Sequence, residues 1–292
     1  MTATPTPLQD LSAGFTALVA EAASSVVAVH SRRSRSSGFL WRPGLVVTAD
    51  EALADEGDVT VALPGGTRPA ELVGRDPTTD IALLRIGPSE LKPAPLERLA
   101  LAPGAMALVV GAEDGDPTAA LGMVSRTGGS WRSLRGGEID ARIELGVGLR
   151  RTAEGGLALD PVGRGFGMAV FGPRQRVLVI PSPTIERVAA MLERHGRVAR
   201  GYVGLGLQQV ALQDGGETGV MVMSVDPKGP GSAAGFRQGD VLVTCEGEPV
   251  RSVHALVRML GPESVGRTVT FGIRRGGEPS EVSLIIGERP PP

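Results

Sequence analysis

Cysteine, histidine and the aromatic residues are scarce in this sequence. Its 292 residues include one cysteine, Cys245. No intramolecular disulfide can form, and nothing points to an oxidising compartment. Three histidines, His30, His195 and His254, stand far apart, and no His/Cys/carboxylate group has metal-ligand spacing. No metal and no cofactor is expected. Aromatics make up 3% of the chain, too few to line a carbohydrate cleft with stacking rings. Formal net charge is -2, so no basic field draws in nucleic acid or an anionic membrane. No run approaches the roughly 18–20 apolar residues of a membrane span. The first thirty residues lack the basic start and continuous apolar core of a signal peptide. As written the chain reads as soluble and cytoplasmic; a targeting segment ahead of it would make it periplasmic or secreted.

Glycine and proline are abundant instead, at 42 and 23 residues. They punctuate short runs rich in Val and Leu, such as "SSVVAVH", "LVVTA", "VTVALPGG", "IALLRI", "ALVVGA" and "RVLVIP". Short strands closed by turn residues are the pattern of an antiparallel barrel or sandwich. The spacing of Leu8, Leu11, Phe15, Leu18 and Val19 predicts a helix ahead of them. A second helix is predicted at "SPTIERVAAMLERHG", with Ser182 as cap, Pro183 at its start, Gly196 as stop, and Ile185, Val188, Ala189 and Leu192 on one face. "GGSWRSLRGG" reads as a loop. The organisation expected is a helical segment at 1–23, a barrel domain at 24–182, a closing helix and hinge at 183–200, a second domain at 201–288 and a disordered tail at 289–292.

The second domain carries a recognisable series: "RGYVGLGL", then "VDPKGPGSAAGFRQGDVLVTCEGEPV", then a helix near 253–260 and two strands with "TVTFGIRRGG" and "EVSLII". It resembles the PDZ domain attached to HtrA-type proteases. An exposed edge strand beside a helix can accept an extended peptide as an added strand. The resemblance implies a carboxylate-holding loop at Tyr202, Val203, Gly204 and Leu205. The pocket would be walled by Leu207 and by Val253, Leu256, Val257 and Leu260 of the helix. His254 and His195 read as surface residues, and Cys245 as a small buried strand residue.

The preceding residues resemble the trypsin-like domain of the same family, through "SGF" and "LVVTADEAL", "GRDPTTDIALLRI", "GMVSRTGG" and "RRTAEGGLALD". The implied fold is mainly β: a chymotrypsin-like double β-barrel followed by an α+β PDZ domain of five to six strands and two helices. The resemblance also locates a catalytic triad, and there the sequence departs from the pattern. The Asp position holds Asp80, but the His position holds Glu51 and the Ser position Glu154. A carboxylate cannot activate a serine as an imidazole does, and it attacks an amide poorly. Thr152 replaces the glycine whose N–H would face the oxyanion, and Arg150 or Arg151 replaces a proline. An acid pair invites a glycosidase or aspartic-dyad reading, which the shortage of aromatics opposes.

The expectation is therefore a pseudoprotease with no functional catalytic residue. Three neighbouring acids need a cation, and Arg150 or Arg151 is expected to bridge them. The protein would bind protein C-termini or extended hydrophobic peptides as a scaffold, chaperone-like holder or regulatory subunit. It would be a homotrimer or a hetero-oligomer with an active relative, using the helix with Leu11, Phe15 and Leu18. The alternative is an active HtrA-type serine endopeptidase regulated by its PDZ domain.

Overall fold

The computed structural model describes residues 6–32, 34–54, 57–212 and 218–290; the expected ends at 1–5 and 291–292 lie outside them. The chain divides into two units, Met1–Val198 and Ala199–Pro292.

The first unit opens with α1, Pro7–Ala22. Its start is doubly satisfied: Gln9 N–H donates to Thr6 Oγ1 at 3.4 Å and Thr6 N–H to Gln9 Oε1 at 2.8 Å. Phe15, Leu18 and Val19 pack on the core, while Leu8 and Leu11 stay exposed. Six strands follow: β1 Val26–Ser31, β2 Ser34–Arg42, β3 Leu45–Thr48, β4 Val59–Leu63, β5 Gly66–Asp76 and β6 Ile81–Arg85. They close into a barrel in the order β1-β2-β3-β6-β5-β4. Side chains alternate across each strand. Val29, Leu40, Val46, Val61 and Leu84 form one buried cluster, and Phe39, Val47, Ile81 and Leu83 join another that also holds second-barrel residues.

The second barrel uses β7 Met106–Glu113 and β8 Asp116–Gly128, then, after a short ribbon of β9 Trp131–Arg132 and β10 Glu138–Ile139, β11 Arg142–Gly146, β12 Leu157–Leu159, β13 Gly165–Phe171 and β14 Val177–Pro181. It closes as β11-β14-β13-β12-β7-β8. The ribbon gives order to a segment whose Gly and Ser content predicts only a loop.

Helix α2, Ser182–His195, buries Ile185, Val188, Ala189 and Leu192 and stops at Gly196, whose φ is 70°. Its N-terminus differs from expectation. Pro181 occupies the cap position, and Ser182 Oγ instead donates to the Glu97 carbonyl at 2.6 Å. A distant carbonyl won the hydroxyl that local spacing assigned to capping.

The second unit contains β15 Gly201–Tyr202, β16 Leu205–Ala211, β17 Thr218–Val225, the short α3 Pro230–Ala233, β18 Val241–Cys245, β19 Glu248–Pro249, α4 Val253–Met259, β20 Thr268–Arg275, β21 Glu278–Ile285 and β22 Gly287–Glu288. The main sheet runs β16-β17-β18-β20-β21, so β16 is an edge; β15 pairs separately with β22. Val222, Leu242, Leu256, Phe271 and Leu284 build the core. Cys245 is buried there, and burial pushes its thiol up to about 11, which leaves it unreactive at neutral pH. Among the described residues, no helix is long and apolar enough to cross a membrane and no acid, His or Cys group forms a metal cluster.

Candidate functional site

Two turns and a short 3-10 helix bring the three acids of the first unit together. Beyond β3 the chain turns through Asp50 and Glu51. Asp50 is buried and ion-paired with Arg75. The turn between β5 and β6 is built by Asp76, whose carboxylate accepts from Thr78 N–H at 3.2 Å and from the Thr78 and Thr79 hydroxyls at 2.7 Å. It leaves Asp80 at φ 59°, a conformation Asp tolerates better than most residues. Asp80 Oδ1 accepts from the Glu51 backbone N–H at 2.7 Å.

Glu154 follows the 3-10 turn Arg151–Ala153 between β11 and β12. It is 8% exposed, and its Oε1 accepts from the Phe171 N–H at 3.2 Å. Its carbonyl receives Ser37 N–H at 2.7 Å, tying the turn to β2. Gly155 completes the junction at φ 84°; a Cβ there would stand 2.1 Å from the Ser37 carbonyl oxygen.

Proximity shows in the acidities. Burial, with the charges of Glu51, Glu154 and Asp50 adding to it, pushes Asp80 up to about 8 against the Glu51 hydrogen bond. Burial also raises Glu154, opposed by the Phe171 N–H and the Arg151 charge and assisted by Glu51. Asp50 is raised by burial despite Arg75.

The cations differ from the expected arrangement. Arg150 turns away and pairs with Glu113 at 3.5 Å. Arg151 lies over the Phe171 ring, 5.9 Å from its centroid, and acts on Glu154 only through its field. The ion pair is supplied by Arg135, at the tip of the β9–β10 ribbon. It reaches Glu51 at 3.4 Å and donates to the Pro77 carbonyl at 3.2 Å. Sequence reasoning missed this pair, because Arg135 lies far along the chain from Glu51 and in a segment read as loop.

At this turn the N–H at the nucleophile position is not free. Thr152 sits inside the 3-10 turn without positive φ, and its carbonyl accepts from Ser37 Oγ at 2.6 Å. Glu154 N–H, the donor at the nucleophile position, is spent on the Arg151 carbonyl at 3.1 Å. What opens to solvent is a polar depression of about 1220 Å³ lined by Ser31, Ser34, Glu51, Arg151, Thr152 and Glu154. Ser34 Oγ donates to the Ala52 carbonyl at 2.6 Å and Ser31 Oγ accepts from Ala54 N–H at 3.0 Å, and among the described residues no imidazole lines the depression.

The second unit offers a different surface. The carbonyl of Val203 accepts from Gly231 N–H and that of Gly204 from Asp226 N–H, both at 2.8 Å. A trans peptide points N–H opposite to C=O, so the N–H groups of Gly204 and Leu205 face the other way. Gly204 has φ 68°, and a Cβ there would meet Gly229 Cα at 3.0 Å. Leu205 opposes Val225, one step from the Asp226–Gly204 bond, so strand alternation turns its N–H and C=O to the free edge of β16. Leu205, Leu207 and Val253 are half-buried against the core, and Val257 is 43% exposed. Leu256, named for the helix wall, is core at 1% exposed, and the side chain of Val203 in the loop is buried at 4%. Tyr202 donates its hydroxyl to Asp226 Oδ2 at 2.8 Å.

Comparisons with known proteins agree with this division. Residues 36–168 match the family described as trypsin-like peptidase domain, and residues 201–286 match the PDZ domain family. A Brucella suis protein named "Probable periplasmic serine endoprotease DegP-like" is 30% identical over 275 residues, covering 88% of this chain and 53% of the relative. One of the same name from Bartonella henselae is 28% identical over 276 residues, covering 87% and 53%. The chain spans about half the length of the curated relatives it matches. Among solved structures, the serine endoprotease from Yersinia pestis is 25% identical with a TM-score of 0.73, covering 99% of this chain and 100% of that one. The HtrA-type protease AlgW with decapeptide is 23% identical with a TM-score of 0.73, covering 95% and 99%. With two closed barrels followed by an edge-stranded sheet and its helix, the chain carries a trypsin-like peptidase domain followed by a PDZ domain, and it is similar over most of its length to DegP-like and HtrA-type proteases.

Proposed function

We propose that this protein binds peptides without hydrolysing them. The observation that carries the reading is the edge of β16. Its outward-facing Leu205 N–H, the neighbouring Gly204 N–H and the apolar Leu207, Val253 and Val257 together suit an extended chain ending in a carboxylate. Alternate ligand residues face the same side. The terminal and third-from-last side chains would therefore both enter the apolar groove, which favours hydrophobic residues at both. The solved AlgW neighbour holding a decapeptide has the same fold, which is consistent with this use.

The first unit supports the absence of hydrolysis. Nucleophile and base positions are carboxylates, Glu51 is occupied by Arg135, and the Glu154 N–H is consumed within its own turn. Its role would be that of a scaffold, a chaperone-like holder or a regulatory subunit. A second copy or an active relative would dock through α1, where Leu8 and Leu11 are exposed beside Leu121 of β8. The test measures anisotropy of a labelled peptide ending in Val-Ser-Val with a free carboxylate, alongside cleavage of unfolded casein and labelling by a fluorophosphonate. Binding without cleavage or labelling is expected. Cleavage by the purified natural chain would overturn the reading in favour of an active endopeptidase.

A further inference from the structure

The loop that turns Gly204 and Leu205 N–H toward the groove is held from behind by Gly231, whose N–H takes the Val203 carbonyl, and above all by Asp226. Asp226 engages it twice: its backbone N–H takes the Gly204 carbonyl at 2.8 Å, and its Oδ2 takes the Tyr202 hydroxyl at 2.8 Å. Its other oxygen, Oδ1, accepts from Lys228 N–H at 3.0 Å, and its carbonyl accepts from Gly229 N–H at 2.9 Å. This Asx turn fixes the direction of the carboxylate. Tyr202 is itself anchored, as the last residue of β15, by pairing with Gly287. Both ends of the Tyr202–Gly204 segment thus lead to Asp226.

We infer that the Tyr202–Asp226 pair is a positioning clamp that presets the backbone donors for a terminal carboxylate. The inference rests on the peptide-binding reading above. Neither side chain contacts the ligand; both act through the loop. Preset donors lose little freedom on binding, so the clamp should govern discrimination between a carboxylate and a neutral chain end more than it governs side-chain contacts in the groove. The acidities fit: the Lys228 N–H and then the Tyr202 hydroxyl hold the Asp226 carboxyl below its usual range, so the clamp stays ionised at neutral pH.

The experiment compares the full chain with Tyr202→Phe, Asp226→Ala and Asp226→Asn. Each is titrated with two labelled peptides ending in Val-Ser-Val, one a free acid and one a C-terminal amide, and thermal unfolding is recorded in parallel. The natural chain is expected to prefer the acid by about tenfold or more, as loss of charge-assisted hydrogen bonds implies. Tyr202→Phe and Asp226→Ala should bring that ratio close to one while leaving amide affinity within about twofold. Asp226→Asn should restore it, because asparagine can keep the Lys228 turn and donate to the Tyr202 oxygen. General damage would weaken both peptides equally. An acid preference that persists in Tyr202→Phe and Asp226→Ala overturns the clamp alone. A natural chain that binds neither peptide overturns the peptide-binding reading, and the clamp with it.

Discussion

The backbone N–H of Glu51 donates to Asp80 Oδ1 at 2.7 Å, so the carboxylate that would orient a histidine in a working triad is capped by the main chain of the residue standing in for that histidine. No imidazole stands between Asp80 and Glu154, and Asp80 retains its proton to about 8.

This fixes the direction of a pH effect. The folded state holds the Asp80 proton far above the unfolded value near 4. The favourable contribution is therefore complete below about pH 4 and is lost as pH rises from there toward 8. Glu154 and Asp50, also raised, act in the same sense. Asp80→Asn should raise the free energy of urea unfolding at pH 8 by an amount on the order of a few kcal/mol and leave pH 4 nearly unchanged. Parallel pH profiles for the two proteins would show that Asp80 is not the group involved.

Restoring the missing side chains should not restore hydrolysis. In Glu51→His/Glu154→Ser the 3-10 turn still spends the N–H of residue 154 on the Arg151 carbonyl. Loss of one oxyanion donor alone costs roughly 10²–10³ in turnover. Casein digestion should stay at background, and fluorophosphonate labelling should be absent. Strong labelling of the double variant would mean that the turn opens readily.

Gly155 is required by space as well as by conformation. At φ 84° and 2.1 Å from the Ser37 carbonyl oxygen, an added methyl cannot be seated without parting β2 from the Glu154 turn. Gly155→Ala should cost about 3 kcal/mol or more. Gly148→Ala, where nothing lies within 4 Å, should stay within roughly 0.5 kcal/mol. Denaturant unfolding of the two variants separates them.

Tyr202 is the sole tyrosine, so its ionisation can be followed directly in the near-ultraviolet phenolate band. The hydrogen bond to Asp226, with partial burial and the Asp226 charge adding to it, holds its phenol above the usual range. Asp226→Asn should lower the midpoint toward that of a free tyrosine. An unchanged midpoint would place the hydroxyl away from Asp226 in solution.

Periodicity and turn residues made much of the scaffold legible. The stripe Ile185, Val188, Ala189 and Leu192 and the stop at Gly196 follow from 3.6-residue spacing and from glycine's access to positive φ. The resemblance carried by Thr48, Asp80 and the Gly155-Gly156 pair singled out Glu51, Asp80 and Glu154, whose charges the fold brings within reach of one another. Their partners were not legible. Arg150 and Arg151 adjoin Glu154 in sequence, yet the 3-10 turn sends Arg150 to Glu113, and a ribbon formed from the supposed loop delivers Arg135 to Glu51. Side-chain direction depends on tertiary placement, which composition does not encode. The same holds for Ser182, drawn to Glu97, and for Tyr202, drawn to Asp226.

The open edge of β16 also makes the second unit a sensor of its own occupancy. An unpaired strand must be hydrated when empty, and it is the side from which a sheet frays or associates with another chain. A ligand that adds a strand there binds only the folded unit, so it raises the unfolding midpoint by mass action, about 2.7 kcal/mol at a hundredfold excess over its dissociation constant. The lifetime of this unit against unfolding and self-association would then track the local supply of free chain ends.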